Sequence, residues 1–240
     1  MNGQSIILPG VVNARELGGY KIGSRHIKRG ILIRTASLGN ASLEALETLQ
    51  KKYRVQTVID LRTGMEHTSM PDPHISGAEN IHLSPIEMED ILAGIDPAMV
   101  ERFCDPSLDR TAFFNASYES GMLGGRLYEQ FLLTGCGKRA WRGFFKALLK
   151  LEEDRAVLWH CTDGKDRTGC AAMLLLFALG ADWDTVMYDY LLTNEYNAAK
   201  LNAVRQEVAP LGWPEEKING LLCLSGGVFE AYMSGAIDAL

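Results

Sequence analysis

Arg155-Ala156-Val157-Leu158-Trp159-His160-Cys161-Thr162-Asp163-Gly164-Lys165-Asp166-Arg167-Thr168-Gly169 decides the architecture of this chain. Residues 155–159 have the apolar composition of a short buried strand. Residues 168–179 are almost wholly apolar and read as a helix packed against a sheet. A glycine-bearing loop joins the two directly. Strand, short loop and helix together make an anion site. The first N–H groups of a helix lack partners, and its dipole puts partial positive charge at that end. The spacing predicts a helix start near Arg167-Thr168. The six-residue step from Cys161 to Arg167 should then turn the loop amides onto one point, with Thr162, Asp163, Gly164 and Lys165 forming the cradle.

Each side chain in this loop has an expected task. Cys161, beside a helix N-terminus and two cations, is expected to exist largely as thiolate. Attack by a thiolate on phosphorus would split ester hydrolysis into two easier steps through a cysteinyl-phosphate. Arg167 can grip two phosphate oxygens at once and stabilise their charge as the bond breaks. Lys165 adds a second positive charge, and the Thr168 hydroxyl can help the sulfur leave. Gly164 suits a tight turn and Gly169 a close helix contact. A carboxylic acid must protonate the departing alcohol; Asp166 is nearest, with Asp60 second and Asp163 third. The loop is not a Walker A sequence, which has Gly-Lys followed at once by Ser or Thr.

Outward from the loop, residues 30–34 and 55–61 read as strands, the second largely β-branched and ending at Asp60-Leu61-Arg62. Residues 79–84 form a weaker strand candidate. Leu43, Leu46, Leu49 and Tyr53 recur at helical spacing behind Ser42, a good N-cap. Helical patterning returns at 127–133 and through Trp141, Phe144, Phe145, Leu148 and Leu149. From Asp182 on the chain is mostly helical, with breaks at Pro210, Pro214 and Gly226-Gly227. Strands alternating with helices imply an α/β fold with a mostly parallel sheet flanked by helices. All 240 residues fit one domain, with 85–125 an insertion of short helices and loop over one end.

A formal charge of −6 argues against nucleic acid as a partner but not against a local phosphate site. The five cysteines, at 104, 136, 161, 170 and 223, contain no C-x-x-C pair and suggest reduced thiols. Residues 1–10 show neither a secretory signal nor a transmembrane segment. The expected location is the cytoplasm, or outside the cell if a leader had preceded this sequence.

Cys161-x5-Arg167-Thr168 is the signature of the protein tyrosine phosphatase superfamily, and the fuller His160-to-Gly169 loop resembles its atypical bacterial branch, to which mycobacterial phosphatase B and the listerial lipid phosphatase belong. Asn13-Ala14-Arg15-Glu16-Leu17-Gly18-Gly19-Tyr20, Ile59-Asp60-Leu61-Arg62-Thr63 and Tyr190-Leu191-Leu192-Thr193-Asn194-Glu195-Tyr196 look like the same branch, so the resemblance spans 13 to about 196. It implies a sheet sandwiched by helices and neither metal nor organic cofactor. It implies a phosphorylated protein or phosphoinositide as substrate, with phosphotyrosine, phosphoserine or phosphothreonine all represented, and inorganic phosphate as product. A loop lysine is associated with the lipid phosphatases of the family, and a helical lid in some members matches 85–125 in position. No Trp-Pro-Asp segment precedes Cys161, so the acid remains open between Asp166, Asp60 and Asp163, and Asp60 is alternatively a buried partner for Arg167. Arg15 either reaches the site or anchors a turn with Glu16 and Tyr20, and Cys170 is either a plain buried thiol or a resolving partner for Cys161. The histidines 26, 67, 74 and 82 lack metal spacing and read as surface or structural residues. The alternative to an active phosphatase is a weakly catalytic module of the same fold that binds phospho-ligands. Sulfur transfer and arsenate reduction are remoter uses of the same thiolate chemistry.

Overall fold

The computed structural model describes residues 4–87, 89, 90, 98 and 125–238. Within these, six strands form one sheet and two form a separate hairpin. The sheet contains β1 (Gln4–Ser5), β2 (Arg15–Glu16), β5 (Leu32–Thr35), β8 (Ala156–His160), β6 (Val55–Asp60) and β7 (Glu79–His82), in that spatial order. The four from β5 to β7 run parallel, while β1 and β2 add an antiparallel edge. The hairpin, β3 (Lys21–Ile22) and β4 (Arg25–His26), projects from the link between β2 and β5.

The central strand alternates its side chains between two cores, as a period of two requires. Val157 and Trp159 enter one core with Phe144, Leu176 and Tyr190; Ala156 and Leu158 enter the other with Ile33, Leu49 and Val58. The first core lies under α3 (Gly125–Leu133), α4 (Gly135–Leu148), α5 (Asp166–Leu179) and α6 (Trp183–Tyr196). The second lies under α1 (Leu43–Glu47), which Ser42 caps by accepting from the Ala45 N–H, and the π-helical turn Thr48–Lys52 that continues it. Trp159 ties strand to helix: its ring meets Phe144 edge-on at 5.6 Å, and its Nε1–H donates to the Thr168 carbonyl. The sheet is thus flanked by helices on both faces.

The C-terminal part adds α7 (Ala198–Val208), a 3₁₀ turn (Ala209–Leu211), α8 (Glu215–Leu224) and α9 (Glu230–Asp238), with Val204, Val208, Leu221 and Leu222 forming a third small cluster. Pro214 stands at the N-cap of α8 and Gly226 takes a left-handed φ of 108° beyond its end, so the chain breaks where the proline and glycine pattern predicts. The short edge strands, the hairpin and α2 (Gly64–Ser69) were not expected, because two-residue strands carry no periodicity. The proposed insertion at 85–125 lies largely outside the described residues. Among the described residues, no helix is long and apolar enough to cross a membrane.

Candidate active site

Cys161 follows the last residue of β8 and is almost wholly buried, and α5 begins five residues later at Asp166. Between them, successive loop carbonyls are tied back into the protein. The Thr162 carbonyl accepts from the Ser37 N–H at 3.1 Å, and the Asp163 and Gly164 carbonyls accept from Asn13 Nδ2 at 3.1 and 2.9 Å. Arg34 also donates to the Gly164 carbonyl, at 2.9 Å. In a trans peptide the N–H points opposite to the C=O, and the described peptide bonds are all trans. The N–H groups of Asp163, Gly164 and Lys165 are therefore turned away from these partners, the arrangement an anion cradle requires.

Glycine is needed at the tightest point. Gly164 has φ 66°, and a Cβ there would lie 2.5 Å from the Thr35 carbonyl oxygen, because the loop presses on the end of β5. At Gly169 a Cβ would stand 3.2 Å from the Tyr190 ring, the close contact between α5 and α6.

Asn13 and Arg34 belong to a larger buried network behind the loop. Arg15 Nε donates to Asp189 Oδ1 at 3.2 Å, Arg34 pairs with Asp189 Oδ2, and the Tyr20 hydroxyl donates to Asp189 Oδ1 at 3.1 Å. Arg15 also reaches the Asp189 carbonyl, the Thr193 hydroxyl and the Asn13 side chain. Burial works against the charge on Asp189, but Arg34 and Arg15 outweigh it and hold the carboxyl below its usual range. Arg15 therefore anchors the back of the site; its donors are taken up inside this network. Asp189 was missed in the sequence, although a carboxylate between Tyr188 and Tyr190 in a largely apolar helix must find buried cations.

Arg167 makes a two-pronged pair with Glu66, at 2.5 and 2.9 Å. Glu66 also accepts from the Thr162 hydroxyl and caps α2 through Thr63. Burial raises the Glu66 carboxyl, yet the Arg167 hydrogen bonds and charge outweigh it and bring it down to about 2. The alternative reading of Asp60, a buried ion pair with Arg167, is not what forms. Arg62, two residues along, folds its guanidinium back onto Asp60 at 2.9 and 2.7 Å and adds its own N–H, while His67 takes a remaining lone pair at 2.8 Å. Burial again opposes ionisation, but the Arg62 bonds prevail and hold the Asp60 carboxyl well below its usual range. Asp72 accepts from the same Arg62 Nη2 that bonds Asp60, at 3.0 Å, and also meets His160. Glu66 had a visible signal: Thr63-Gly64-Met65-Glu66 is a capping-box pattern directly after the Asp60-Leu61-Arg62 strand end.

The other loop residues divide between two surroundings. Asp166 accepts from the Tyr128 hydroxyl at 2.5 Å and pairs with Lys165 at 3.2 Å; Tyr128 in turn meets the Tyr190 hydroxyl at 2.6 Å. Lys165 is buried, with its ammonium directed at the Cys223 carbonyl and the Gly227 carbonyl. Asp163, Lys165, Asp166, Tyr128 and Tyr232 line a cavity of about 190 Å³ beside the loop. Thr168 is fully buried, and its hydroxyl has no hydrogen-bond partner among the described residues. Cys170 is buried on the following turn of α5, where desolvation, with Asp166 and Cys161 adding to it, pushes its thiol well up.

Residues 6–240 match the tyrosine phosphatase family. The chain belongs to that family. It is 32% identical over 230 residues to a Cupriavidus necator protein named provisionally as a tyrosine-protein phosphatase, a match covering 95% of this chain and 77% of the relative. It is 26% identical over 206 residues to the triple specificity protein phosphatase PtpB of Mycobacterium tuberculosis, covering 78% of this chain and 68% of that one. The crystal structure of TpbA from Pseudomonas aeruginosa matches at a TM-score of 0.33 and 14% identity, over 79% of this chain and 78% of that one, too loosely to carry weight.

Proposed function

We propose that this member of the tyrosine phosphatase family hydrolyses phosphotyrosine through a covalent cysteinyl-phosphate on Cys161. One observation carries the proposal. The carbonyls on both sides of Gly164 are tied back to Asn13, Arg34 and Ser37, so the loop amides are preset for an anion beside the Cys161 sulfur. The S–P bond forms as the P–O bond to tyrosine breaks, and Asp166 gives its proton to the departing oxygen. Water then attacks phosphorus, Asp166 takes up a proton from it, and the Cys161 thiolate leaves with inorganic phosphate. Arg167 swings part of its guanidinium from Glu66 to the phosphate, and the unpartnered Thr168 hydroxyl supports the leaving sulfur.

Asp60 is the weaker candidate for the acid because Arg62 and His67 already occupy its oxygens. Phosphoinositides are the second substrate class, supported by Lys165 on the wall of the cavity beside the loop. The engagement of Lys165 with Asp166 and two carbonyls favours the aryl ester over the lipid. The test is turnover of a phosphotyrosine peptide and a phosphoinositide by wild type and Cys161→Ser, with vanadate as inhibitor. Turnover that persists at above about a hundredth in Cys161→Ser would overturn the covalent route. Saturable phosphopeptide binding by the wild type without turnover would instead make the protein a binding module.

A further inference from the structure

A second cavity has no part in this chemistry. It encloses about 400 Å³ at the base of the β3–β4 hairpin, within the ~300–1,000 Å³ range of small-molecule sites. Ile22, Ile27, Ile31, Leu32 and Leu179 form its apolar walls. These side chains are aliphatic and offer neither an aromatic ring to stack on nor a hydrogen bond. Leu179 is 45% exposed at the end of α5, so its side chain is open to an apolar occupant of the cavity.

The rim has the opposite character. Residues 21–29 carry Lys21, Arg25, His26, Lys28 and Arg29 and no acid, within a chain of net charge −6. Lys28 is paired with Asp154 and Arg29 with Glu16. Arg25 and His26 line the cavity, are exposed, and have side chains without an ion pair or hydrogen bond among the described residues. At the C-terminus of α5 the Gly180 and Ala181 N–H groups turn back onto the Phe177 and Leu176 carbonyls, so those two carbonyls are not bare.

We infer that this cavity binds an amphiphilic anion, an aliphatic chain seated among Ile22, Ile27, Ile31, Leu32 and Leu179 with its carboxylate-like head at Arg25. A flexible hydrocarbon suits aliphatic walls, and one free guanidinium at the mouth fixes the head. A peptide is disfavoured because its backbone amides would enter a groove whose wall side chains offer no hydrogen bonds. The cavity lies at the far end of α5 from Cys161, and 14 helical residues at 1.5 Å each put the two roughly 20 Å apart. The site is therefore separate from the phosphate cradle and leaves it open.

The experiment is calorimetric titration of the full chain with decanoate below its micellar concentration, beside decyl maltoside as a neutral chain of equal length. Decanoate should saturate at one per protein and bind about fivefold tighter than the maltoside. Arg25→Ala should weaken it about fivefold, the effect of a partly exposed charge pair, and Leu179→Asp more than tenfold. Both side chains are exposed, so melting temperatures should match wild type; if Leu179→Asp proves unstable, Arg25→Ala carries the test alone. Vanadate should not displace decanoate. Absence of saturable binding, equal affinity for the neutral chain, unchanged affinity in both variants, or displacement by vanadate would each overturn the inference. Binding only to anionic vesicles and not to monomeric decanoate would overturn it in favour of a membrane-facing surface.

Discussion

Glu66→Gln isolates the partner that holds Arg167. Glutamine keeps the capping box at the start of α2, since its amide oxygen can still accept from Thr63. It removes the charge that Arg167 grips at 2.5 and 2.9 Å. The Glu66 carboxyl is held at about 2 against an ordinary 4.5; at about 1.4 kcal/mol per unit the ceiling is ~3 kcal/mol. The side chain is 32% exposed, and solvent screening reduces this to about 1–2 kcal/mol. Because the folded value is depressed, this stability is fully present above about pH 4.5 and is lost as pH falls towards 2. The expected result at pH 7 is a fall in melting temperature of roughly 2–8 °C, shrinking on acidification through that window. A displaced Arg167 should also lower kcat/KM by about 10–100-fold, alike on para-nitrophenyl phosphate and phosphotyrosine, since both esters need the same grip. Differential scanning fluorimetry from pH 3 to 7, with steady-state kinetics on both esters, measures each part. Tighter inhibition by phosphate together with a raised kcat/KM would refute the reasoning, because Glu66 would then compete with substrate for Arg167 rather than position it.

Asp166→Asn should cost roughly 10²–10⁴ in kcat on phosphotyrosine but little on para-nitrophenyl phosphate, whose phenolate leaves unprotonated; equal losses on both esters would remove Asp166 as the acid. Asp60→Asn should act on stability, by about 3–5 kcal/mol in chemical denaturation, because it leaves the buried Arg62 short of its main partner; a loss confined to phosphotyrosine turnover would instead make Asp60 the acid. Gly164→Ala should abolish phosphate binding, since the added carbon would lie 2.5 Å from the Thr35 carbonyl; a variant that binds vanadate normally would show that the loop is not pressed on β5. Lys165→Ala should impair a phosphoinositide no more than a phosphopeptide if the lysine mainly bonds the Cys223 and Gly227 carbonyls; selective loss of lipid turnover would restore it as a headgroup contact.

The parts of this molecule legible in its sequence are those with a local cause. The strand at Ala156–His160 is apolar up to its last residue, the helix at Asp166–Leu179 is apolar from Gly169 on, and Ser42 sits as N-cap where its hydroxyl can reach the Ala45 amide. Contacts made across the fold were not legible. Arg167 and Glu66 are 101 residues apart, and Arg34 and Asp189 155. No spacing rule joins such residues; the alternative pairing of Asp60 with Arg167 fails because Arg62, two residues away, folds back onto it. Asn13, Arg15 and Tyr20 were visible as a family-like segment, but their common purpose appears only when Asp189 is brought beneath them.

That common purpose also locates the charge that favours an anion. Arg167 is matched by Glu66, so that pair adds no net charge to the cradle while it is empty. Behind the loop, Arg15 and Arg34 share the single carboxylate of Asp189, which leaves 2 − 1 = +1 in a site with side chains 0–1% exposed. A buried charge is poorly screened, and Arg34 delivers it through the Gly164 carbonyl, polarising the peptide whose Lys165 N–H faces the other way. On the proposed mechanism, the field that would draw a phosphate to Cys161 thus begins in a network that never touches it. Arg167 can stay with Glu66 until the substrate arrives, because the attraction does not depend on its being free.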